Sequence, residues 1–508
     1  MNVALPRRSF LKSTATAGAM LGLGDFGFLT SLPTVSAAEA EIDPRSVRFR
    51  PEIEPLVRLL EDTPRERLLE EVAARIKRGT SYRDVLTALL LAGVRNIKPH
   101  PVGFKFHAVL VVNSAHLASR NSPEGDRWLP IFWALDTFKA SQARDVREGD
   151  WTLGAVDAAA LPSSDHARAA FGEAMERWDE AAVDVATASL ARSAKPKGVF
   201  DAFCLYGARD FRDIGHKAIY VANSWRTLEH IGWQHAEPVL RSLAFALCYH
   251  EGGNPAQRDA EADRPGRRNL ELRGELMADW ANGKPDPAAT RTLLETLRSG
   301  SWSDASQRVV ELLNRGVAPP SLWDAIFEAS AELLMRNPGI GTLHSVTTAN
   351  AMYYNFNHAT DAPTRAFLLL QAASFVPLFR GARANSNHGV RIDELEPEPP
   401  SARGPAAVEE IFADLTSDKP LAARKALAWL GTSGGPKPFI DAAQRLIFLK
   451  GTDSHDYKFS SAVLEDYFNV SPSLRDRFLA ASVFWLKGAG GRDNTLVART
   501  RAALVGDR

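Results

Sequence analysis

Four histidines occupy matching positions in four similar segments of the chain, and imidazole groups brought together in this way could bind a transition metal. Each segment opens with an aspartate, and the four aspartates are 117, 123 and 117 residues apart. A histidine follows each aspartate after 23, 15, 20 and 14 residues. Because neutral imidazole is a good ligand for iron, copper and zinc, the sequence predicts a centre for one of these metals. The predicted ligands are His107, His216, His344 and His455.

Three asparagines follow the first three histidines at nearly constant spacing. They lie 6, 7 and 6 residues after the histidine, which is close to two helical turns, so each asparagine shares a helix face with its histidine. We predict that these amides orient a substrate or a water molecule. Tyr457, shortly after the fourth histidine, is a further candidate acid or base. The three predicted asparagines are Asn113, Asn223 and Asn350.

Each of these residues also has a structural interpretation. A single histidine at the start of a helix often caps the helix or packs in the core, and 12 histidines in 508 residues is ordinary usage. The joint pattern favours a shared pocket, because four matching positions seldom keep histidine for unrelated reasons. The aspartates are better explained as helix caps, since Ser81-x-x-Asp84 and Ser321-x-x-Asp324 have the pattern of a capping sequence.

Helix signals dominate the chain and predict an all-α fold of four quasi-repeated units. Each unit contains an opening helix, a histidine helix and a closing helix, and stacked units of this kind form a solenoid or a closed toroid. Two further helices, 166–190 and 289–314, are predicted between units. The predicted helices of the units are 82–95, 104–120 and 127–142; 211–231 and one starting near Glu237; 322–336, 342–356 and 363–378; and 438–449, 455–468 and 472–487.

The predicted domain organisation follows these units. Residues 45–255 contain repeats one and two, residues 256–382 contain repeat three, and residues 406–508 contain repeat four. Residues 383–405 are rich in Pro, Glu, Asn and Ser, and we predict that they form a loop or a lid.

The first 37 residues are predicted to be a signal peptide for twin-arginine export. Arg7-Arg8-Ser-Phe-Leu-Lys12 matches the export motif, and a weakly apolar Gly/Ala-rich stretch follows. Val35-Ser-Ala37 offers small residues for cleavage, with Ala38-Glu-Ala40 as a second option. We therefore expect a periplasmic or extracellular protein, with the export machinery as a partner. This route carries folded proteins, which favours a cofactor acquired before export. The rest of the chain contains no run of 18 apolar residues, so we predict no membrane span.

Composition argues against several function classes. Lys+Arg and Asp+Glu both number 61, and removal of residues 1–37 leaves 58 minus 60, or −2, so no basic surface predicts a nucleic-acid partner. The two cysteines, Cys204 and Cys248, lie in apolar helical segments and are either buried thiols or a disulfide. The chain has no CxxC, P-loop, GxSxG or GxGxxG after a strand, so thiolate zinc sites, nucleotide phosphate binding and serine hydrolysis lack support.

Two stretches carry a resemblance to known families. Gly93-Val-Arg-Asn…His-Pro-Val-Gly-Phe-Lys-Phe-His107 and Arg212-Asp-Ile-Gly-His216-Lys, within residues 93–145 and 205–250, resemble a family of twin-arginine-exported bacterial proteins. The pattern of internal histidines on helical hairpins is also similar to the questin-oxidase-like family, whose members are largely helical oxygenases acting on polycyclic aromatics. This second resemblance implies oxygen chemistry.

Three functions are compatible with the sequence. The first is an exported metal-dependent oxidoreductase, with an oxygenase among the candidates, acting on a small organic substrate at a central histidine cluster. The second is a polysaccharide lyase, in which Asn or Arg neutralises a uronate carboxylate and His or Tyr removes the neighbouring proton in the groove of a helical toroid. The third is a periplasmic scaffold without enzymatic activity that binds a partner on its concave surface.

Overall fold

The computed structural model describes residues 46–381, 390–432 and 435–505. Within these residues the protein consists of α-helices joined by turns and short 3-10 helices, with an isolated bridge between Lys284 and Val317 and no strand. The all-α prediction is therefore confirmed. The described residues from Val47 onward belong to one compact unit, and the predicted signal peptide lies outside the described residues.

The helices that the described residues form are numbered here in chain order. They are α1 (Glu54–Asp62), α2 (Arg65–Lys77), α3 (Tyr82–Asn96), α4 (His107–Arg120), α5 (Leu129–Arg147), α6 (Ala167–Arg177), α7 (Glu180–Ser193), α8 (Pro196–Gly207), α9 (His216–Ile231), α10 (Ala236–Cys248), α11 (Arg264–Leu272), α12 (Pro287–Ser299), α13 (Trp302–Asn314), α14 (Pro319–Arg336), α15 (Ile340–His358), α16 (Ala362–Arg380), α17 (Pro405–Ser417), α18 (Lys419–Leu430), α19 (Lys437–Lys450), α20 (Ser454–Asn469), α21 (Arg475–Ala481) and α22 (Thr495–Val505).

The helices of the predicted units are present, in the predicted order. The opening, histidine and closing helices are consecutive in each unit, namely α3–α5, α8–α10, α14–α16 and α19–α21. The histidine is the first residue of α4 and of α9, the second of α20 and the fifth of α15. Each unit therefore places its histidine in the first turns of a helix.

Two long helices predicted between the units are each broken in two. The segment 166–190 becomes α6 and α7, because Trp178 has a left-handed backbone (φ 56°) and Asp179 caps the next helix. The segment 289–314 becomes α12 and α13, because Ser301 and Asp304 form a capping box at the start of α13. The apolar pattern continues through both breaks and so predicted single helices, whereas the local backbone and the cap residues divide each segment into two.

The predicted capping sequences have different outcomes. Ser81 and Asp84 form a capping box at the start of α3. The cap predicted around Asp324 is wrong, because α14 begins earlier, at Pro319, where proline suits a first helical turn. Asp324 therefore lies inside the helix, and its carboxylate accepts a hydrogen bond of 2.9 Å from the backbone N–H of Ser471.

The four histidine helices pack side by side as a closed ring. α4 contacts α9, α9 contacts α15, α15 contacts α20, and α20 contacts α4. They run in the same direction, because their histidines meet at the N-terminal ends and Arg226 of α9 reaches Asn350 of α15 and Glu465 of α20 further along. This ring of helices directs four N-terminal turns at one point.

Part of the segment predicted to form a loop or a lid is held against the helices. Residues 390–404 form no α-helix, and their short turn Ile392–Glu394 is tied down by Asp393, which pairs with Arg298 at 2.6 Å. The backbone N–H of Ile392 donates to the buried carboxylate of Glu332. Residues 383–389 lie outside the described residues.

Two further features concern the core. Cys204 and Cys248 are buried free thiols, so they do not form the disulfide that the sequence allowed.

Among the described residues, α16 is the helix that is long and apolar enough to cross a membrane by length and composition, and 72% of its most apolar window is buried inside the protein. A core helix passes this length and composition test as readily as a membrane span does.

Candidate metal centre

The four predicted histidine ligands meet at one point inside the ring of helices. One possible ligand atom from each imidazole lies within 4.8 Å of all the others. The four side chains come from α4, α9, α15 and α20. A metal ion could bind where three or more histidine, cysteine or acidic side chains come together. Among the residues that the structure describes, these four histidines form such a group. The predicted convergence of the histidines is therefore confirmed.

The four imidazole rings are arranged in a cycle that follows their order in the sequence. Around the cycle the ring centroids are 4.8, 4.4, 5.1 and 4.5 Å apart, and the diagonal from His107 to His344 measures 6.4 Å. The Nε2 atom of His216 lies 2.9 Å from the Nε2 atoms of both His107 and His344. Metal–imidazole bonds of about 2.0–2.1 Å separate two nitrogens at right angles by about 3 Å. The Nε2 spacing therefore fits neighbouring corners of a tetragonal site.

Hydrogen bonds to the Nδ1 atoms determine which nitrogen of each ring faces the centre. Nδ1 is bonded to a main-chain carbonyl of the preceding turn at 2.9 Å in His107, 2.6 Å in His216 and 2.7 Å in His344. A carbonyl oxygen only accepts, so Nδ1 carries the proton and donates it. His455 donates from Nδ1 to the carboxylate of Asp453. Each Nε2 atom keeps a lone pair, which is the form that binds a metal.

The first two histidines are held by the same unusual backbone turn. Phe104 and Asp213 lie three residues before their histidines, in short 3-10 turns, and their φ angles are 47° and 50°. The carbonyl oxygens of these two residues accept the Nδ1 hydrogen bonds of His107 and His216. Left-handed backbone costs energy in residues other than glycine, and strain of this kind clusters at functional sites. The shared turn supports both the repeat and a functional role.

Burial keeps the imidazoles uncharged. His216 and His344 are 3% and 0% exposed, whereas His107 and His455 are partly exposed. Burial, and then the positive charge of Lys458, lowers the pKa of His216 and of His344 well below the usual histidine value. The same two causes lower the pKa of His107. The neutral imidazoles of His107, His216 and His344 thus face the centre, and His107 and His455 are the two less buried members of the cluster.

Lys458 is a fifth member of the cluster that sequence reasoning missed. Its Nζ atom lies 3.1 Å from Nε2 of His216 and 3.3 Å from Nε2 of His344. The side chain is almost fully buried, and burial lowers the pKa of Lys458 to about 7. Lys458 follows His455 by three residues on α20, and residues three apart share a helix face. This spacing is the signal that could have identified it.

All three predicted asparagines line a small cavity of about 10 Å³ beside Lys458. The amide of Asn350 is engaged by protein groups. It donates to the carboxylates of Glu465 and Asp466 and accepts a hydrogen bond of 3.2 Å from Arg226. Asn350 therefore holds neighbouring helices together at this level of the ring.

The other two asparagines bond to each other. Asn113 donates to the Oδ1 atom of Asn223 at 3.4 Å, and Asn223 donates to the carbonyl of Leu110 at 2.9 Å. The Oδ1 atom of Asn113 is buried and has no hydrogen-bond partner. Of the three predicted asparagines, Asn113 is therefore the one with an amide oxygen free to accept a hydrogen bond from a small ligand or a water molecule.

Tyr457 does not join the imidazole cluster. It follows His455 by two residues on a helix and so faces nearly the opposite direction. Its ring stacks on Trp133, with centroids 4.1 Å apart, and lines a separate, largely apolar cavity of about 570 Å³ between α4, α19 and α20. Burial raises the pKa of the Tyr457 phenol. The two-residue spacing from His455 on a helix is the signal in the sequence that could have excluded Tyr457 from the histidine face.

A second pair of histidines lies further along α4 and α9. The rings of His116 and His230 have centroids 4.1 Å apart, and the hydroxyl of Tyr82 lies 3.0 Å from Nδ1 of His116. Burial lowers the pKa of His116 to about 3. Within the described residues this pair belongs to no group of three possible metal ligands. It is therefore a suitable control for experiments on the four clustered histidines.

Comparison with known proteins gives no match: no protein-family model, no characterised protein and no solved structure matches this chain. The function inferred below therefore rests on the geometry and chemistry of the histidine cluster.

Proposed function

We propose that this protein is a metal-dependent oxidoreductase that acts on a small organic substrate at the histidine cluster. The observation that carries the proposal is the convergence of four imidazoles within 4.8 Å of one another, each with its Nδ1 atom bonded to an oxygen acceptor. Acceptors behind each ring orient metal-binding imidazoles and fix their tautomer. The cluster thus has the ligands of a metal site and the groups that orient them.

The short distance between His107 and His216 supports the proposal that a metal cation binds at the centre. Their Nε2 atoms are 2.9 Å apart, and both Nδ1 atoms hold their proton against a carbonyl. Two Nε2 lone pairs at this distance repel each other and form no hydrogen bond. A metal cation that accepts both lone pairs removes this repulsion, which is the physical reason for such an arrangement.

The ligand set favours a metal that changes oxidation state. Nitrogen ligands at right angles, as the 2.9 Å spacing of the Nε2 atoms indicates, suit Cu(II), and imidazole is also a common ligand of iron. Zinc prefers a tetrahedral arrangement and has no redox chemistry. A bound copper or iron ion would activate oxygen or polarise a carbonyl group. The partly exposed His107 and His455 mark the side from which a substrate would enter, and Asn113 would position water or substrate through its free amide oxygen.

Metal analysis of protein purified after export tests the proposal. We expect about one copper or iron ion per chain, and a spectroscopic change on reversible reduction. His216→Ala and His344→Ala should each lose the metal, because each removes one of the two buried ligands of the cluster. His116→Ala should keep it, because this histidine lies outside the cluster. Wild-type protein that holds no metal, or only zinc, would contradict the proposal.

The polysaccharide lyase has less support from the same residues. A lyase needs its histidine or tyrosine base exposed along a groove that admits a polymer. Two of the clustered histidines are buried, and Tyr457 lies against Trp133 in the protein interior. Absorbance of an unsaturated product from a uronate polymer would favour the lyase. A binding scaffold without activity would be favoured if metal were bound but the metal showed neither redox change nor exchangeable ligands.

We further propose that the protein is exported in folded form to the periplasm or beyond. The supporting observation is the Arg7-Arg8-Ser-Phe-Leu-Lys12 motif, together with the cleavage site at Val35-Ser-Ala37. Replacing both Arg7 and Arg8 by lysine should leave uncleaved protein in the cytoplasm, as measured by cell fractionation. Replacing Arg48 and Arg50, beyond the predicted signal peptide, is the matched control and should not affect export. Export of the Arg7→Lys/Arg8→Lys protein at the normal rate would exclude this route.

A further inference from the structure

The hydrogen bonds of Lys458 are incompatible with a filled metal site. Its Nζ atom donates to the Nε2 atoms of His216 and His344, and the described residues offer it no other hydrogen-bond acceptor. A metal ion would take up both Nε2 lone pairs. Lys458 is 3% exposed, so water cannot freely replace the lost acceptors. A buried donor without an acceptor costs roughly 1–3 kcal/mol, and more if the donor is charged.

The charges around the cluster point to the missing acceptor. All four ligands are uncharged imidazoles, so a divalent metal would keep its full charge. The carboxylate of Asp453, which caps α20, is already hydrogen-bonded to His455. The histidines also lie in the first turns of four helices, where the helix dipoles add positive partial charge. A divalent metal beside Lys458 and the four helix N-termini would therefore leave an excess of positive charge at the centre, which the carboxylate of Asp453 offsets in part.

We propose that the metal centre and Lys458 together form a binding site for a small anion. The anion would be a ligand of the metal and would accept a hydrogen bond from the Nζ atom of Lys458. It would replace the two acceptors that the metal removes and would offset the excess positive charge. This inference rests on the proposed function and adds the class of ligand: a compact monovalent anion of the size of hydroxide, superoxide or a small carboxylate.

The space beside Lys458 limits the size of this anion. The small cavity that Lys458 and the three asparagines line has a volume of only about 10 Å³. That volume is close to the minimum that holds a single water molecule. A bulky anion would have to remain on the side of His107 and His455, the two less buried ligands. Selectivity for small anions over large ones is therefore part of the proposal.

Azide titration of metal-loaded full-length protein tests the proposal. The protein would be loaded with Cu(II), and azide and the neutral ligand pyridine would be added at constant ionic strength while the absorption and EPR spectra are recorded. We expect azide to change the spectra at lower concentration than pyridine does. Lys458→Met should bind the same amount of metal but bind azide about tenfold or more weakly, the loss of a hydrogen bond to a charged group.

The control is Lys437→Met, which removes the same charge from an exposed side chain on α19. It should leave both metal and azide binding unchanged. Azide binding by Lys458→Met with wild-type affinity would overturn the proposal, as would metal-loaded wild-type protein that azide does not affect. If Lys458→Met changes the metal spectrum before azide is added and then binds azide more tightly, the lysine is itself a ligand and the proposal is wrong.

Failure of this proposal is distinguishable from failure of the proposed function. If the wild-type protein binds no metal, the proposed function fails and the anion site fails with it. If metal binds through the four histidines and azide has no effect, the anion site alone is excluded. The comparison of azide with pyridine uses wild-type protein, so it decides the question even if Lys458→Met does not fold.

Discussion

The carboxylate of Asp453 accepts a hydrogen bond from the Nδ1 atom of His455, whereas the other three clustered histidines donate to main-chain carbonyls. Asp453 also caps the start of α20 by accepting from the backbone N–H of His455. The hydrogen bond to His455 is the main reason why the pKa of Asp453 is lowered. A charged acceptor makes its imidazole a stronger metal ligand than a neutral acceptor does. His455 is thus the ligand whose basicity depends on a replaceable side chain.

Asp453→Asn should therefore weaken metal binding and leave the fold intact. Asparagine still caps a helix, but it replaces the charged acceptor by a neutral amide. Loss of such an acceptor typically lowers metal affinity about 10–100-fold. Competition with a coloured chelator measures the change. Asp441→Asn, which removes the exposed partner of Lys437, is the matched control and should bind metal normally. Equal affinity of the two variants would show that Asp453 does not act on the metal.

Gly215→Ala should displace His216 and destabilise the protein. Gly215 directly precedes the histidine with φ +80°, and an added Cβ would lie 2.2 Å from the hydroxyl oxygen of Thr348. We expect a loss of roughly 1–3 kcal/mol in the free energy of unfolding, together with weaker metal binding. Thermal unfolding and metal titration measure the two effects. Gly79→Ala has comparable backbone strain at φ +102° but open space around it, so it should keep metal affinity.

Glu328 should make the protein less stable as the pH rises from about 5 to about 8. Burial, reinforced by Asp324 and Asp393, raises the pKa of Glu328 to about 7 from an ordinary value of 4.5. The folded state therefore holds this proton at pH values where the unfolded chain releases it. The stability is complete below the unfolded pKa and is lost as the pH rises towards the folded pKa, by about 1.4 kcal/mol for each unit of pKa difference.

Glu328→Gln should remove this pH dependence, because glutamine stays neutral. The variant should be more stable than wild type at about pH 8, by up to a few kcal/mol, and similar to it at about pH 4. Urea unfolding at several pH values measures the difference. Glu124→Gln, at a 90% exposed side chain, should follow the wild-type curve. A Glu328→Gln curve parallel to that of wild type would mean that Glu328 is ionised in the folded protein.

Arg226 links three of the histidine helices and should contribute to stability. Its guanidinium donates to Glu465 at 2.6 Å and to Asn350 at 3.2 Å, and it lies 4.2 Å from the ring centre of Tyr354. Arg226→Met should cost about 1–3 kcal/mol, since the carboxylate of Glu465 is partly exposed and can regain water. In a double-mutant cycle with Glu465→Gln, we expect a coupling energy of about 0.5–3 kcal/mol.

The cycle on Arg226 and Glu465 has an internal comparison on the surface. Arg144 and Glu148 form an exposed pair four residues apart on and just after α5. Such pairs couple by about 0.3–0.5 kcal/mol. A coupling energy for Arg226 and Glu465 no larger than this would contradict a role for the buried network in holding the ring of helices together.

Two of the four recurrent aspartates have a role that the sequence did not indicate. Asp201, in the opening helix of unit two, accepts hydrogen bonds from the backbone N–H and the hydroxyl of Thr360, just before the closing helix of unit three. Asp324, in the opening helix of unit three, accepts from the backbone N–H of Ser471, in the matching loop of unit four. These aspartates join one unit to the next. Their spacing was recognised in the sequence, whereas their partners lie too far along the chain to be predicted.

The sequence by itself determined the all-α fold, the order of helices in each unit and the four histidines, because helix periodicity, capping residues and a repeated spacing are local properties of a chain. Only the tertiary structure decided that the four histidine helices close into a ring, that Lys458 lies among the imidazoles, and that Tyr457 lies elsewhere. These facts depend on helix rotation and on contacts between residues more than a hundred positions apart, such as the 242 residues that separate Lys458 from His216. No local pattern encodes such distances.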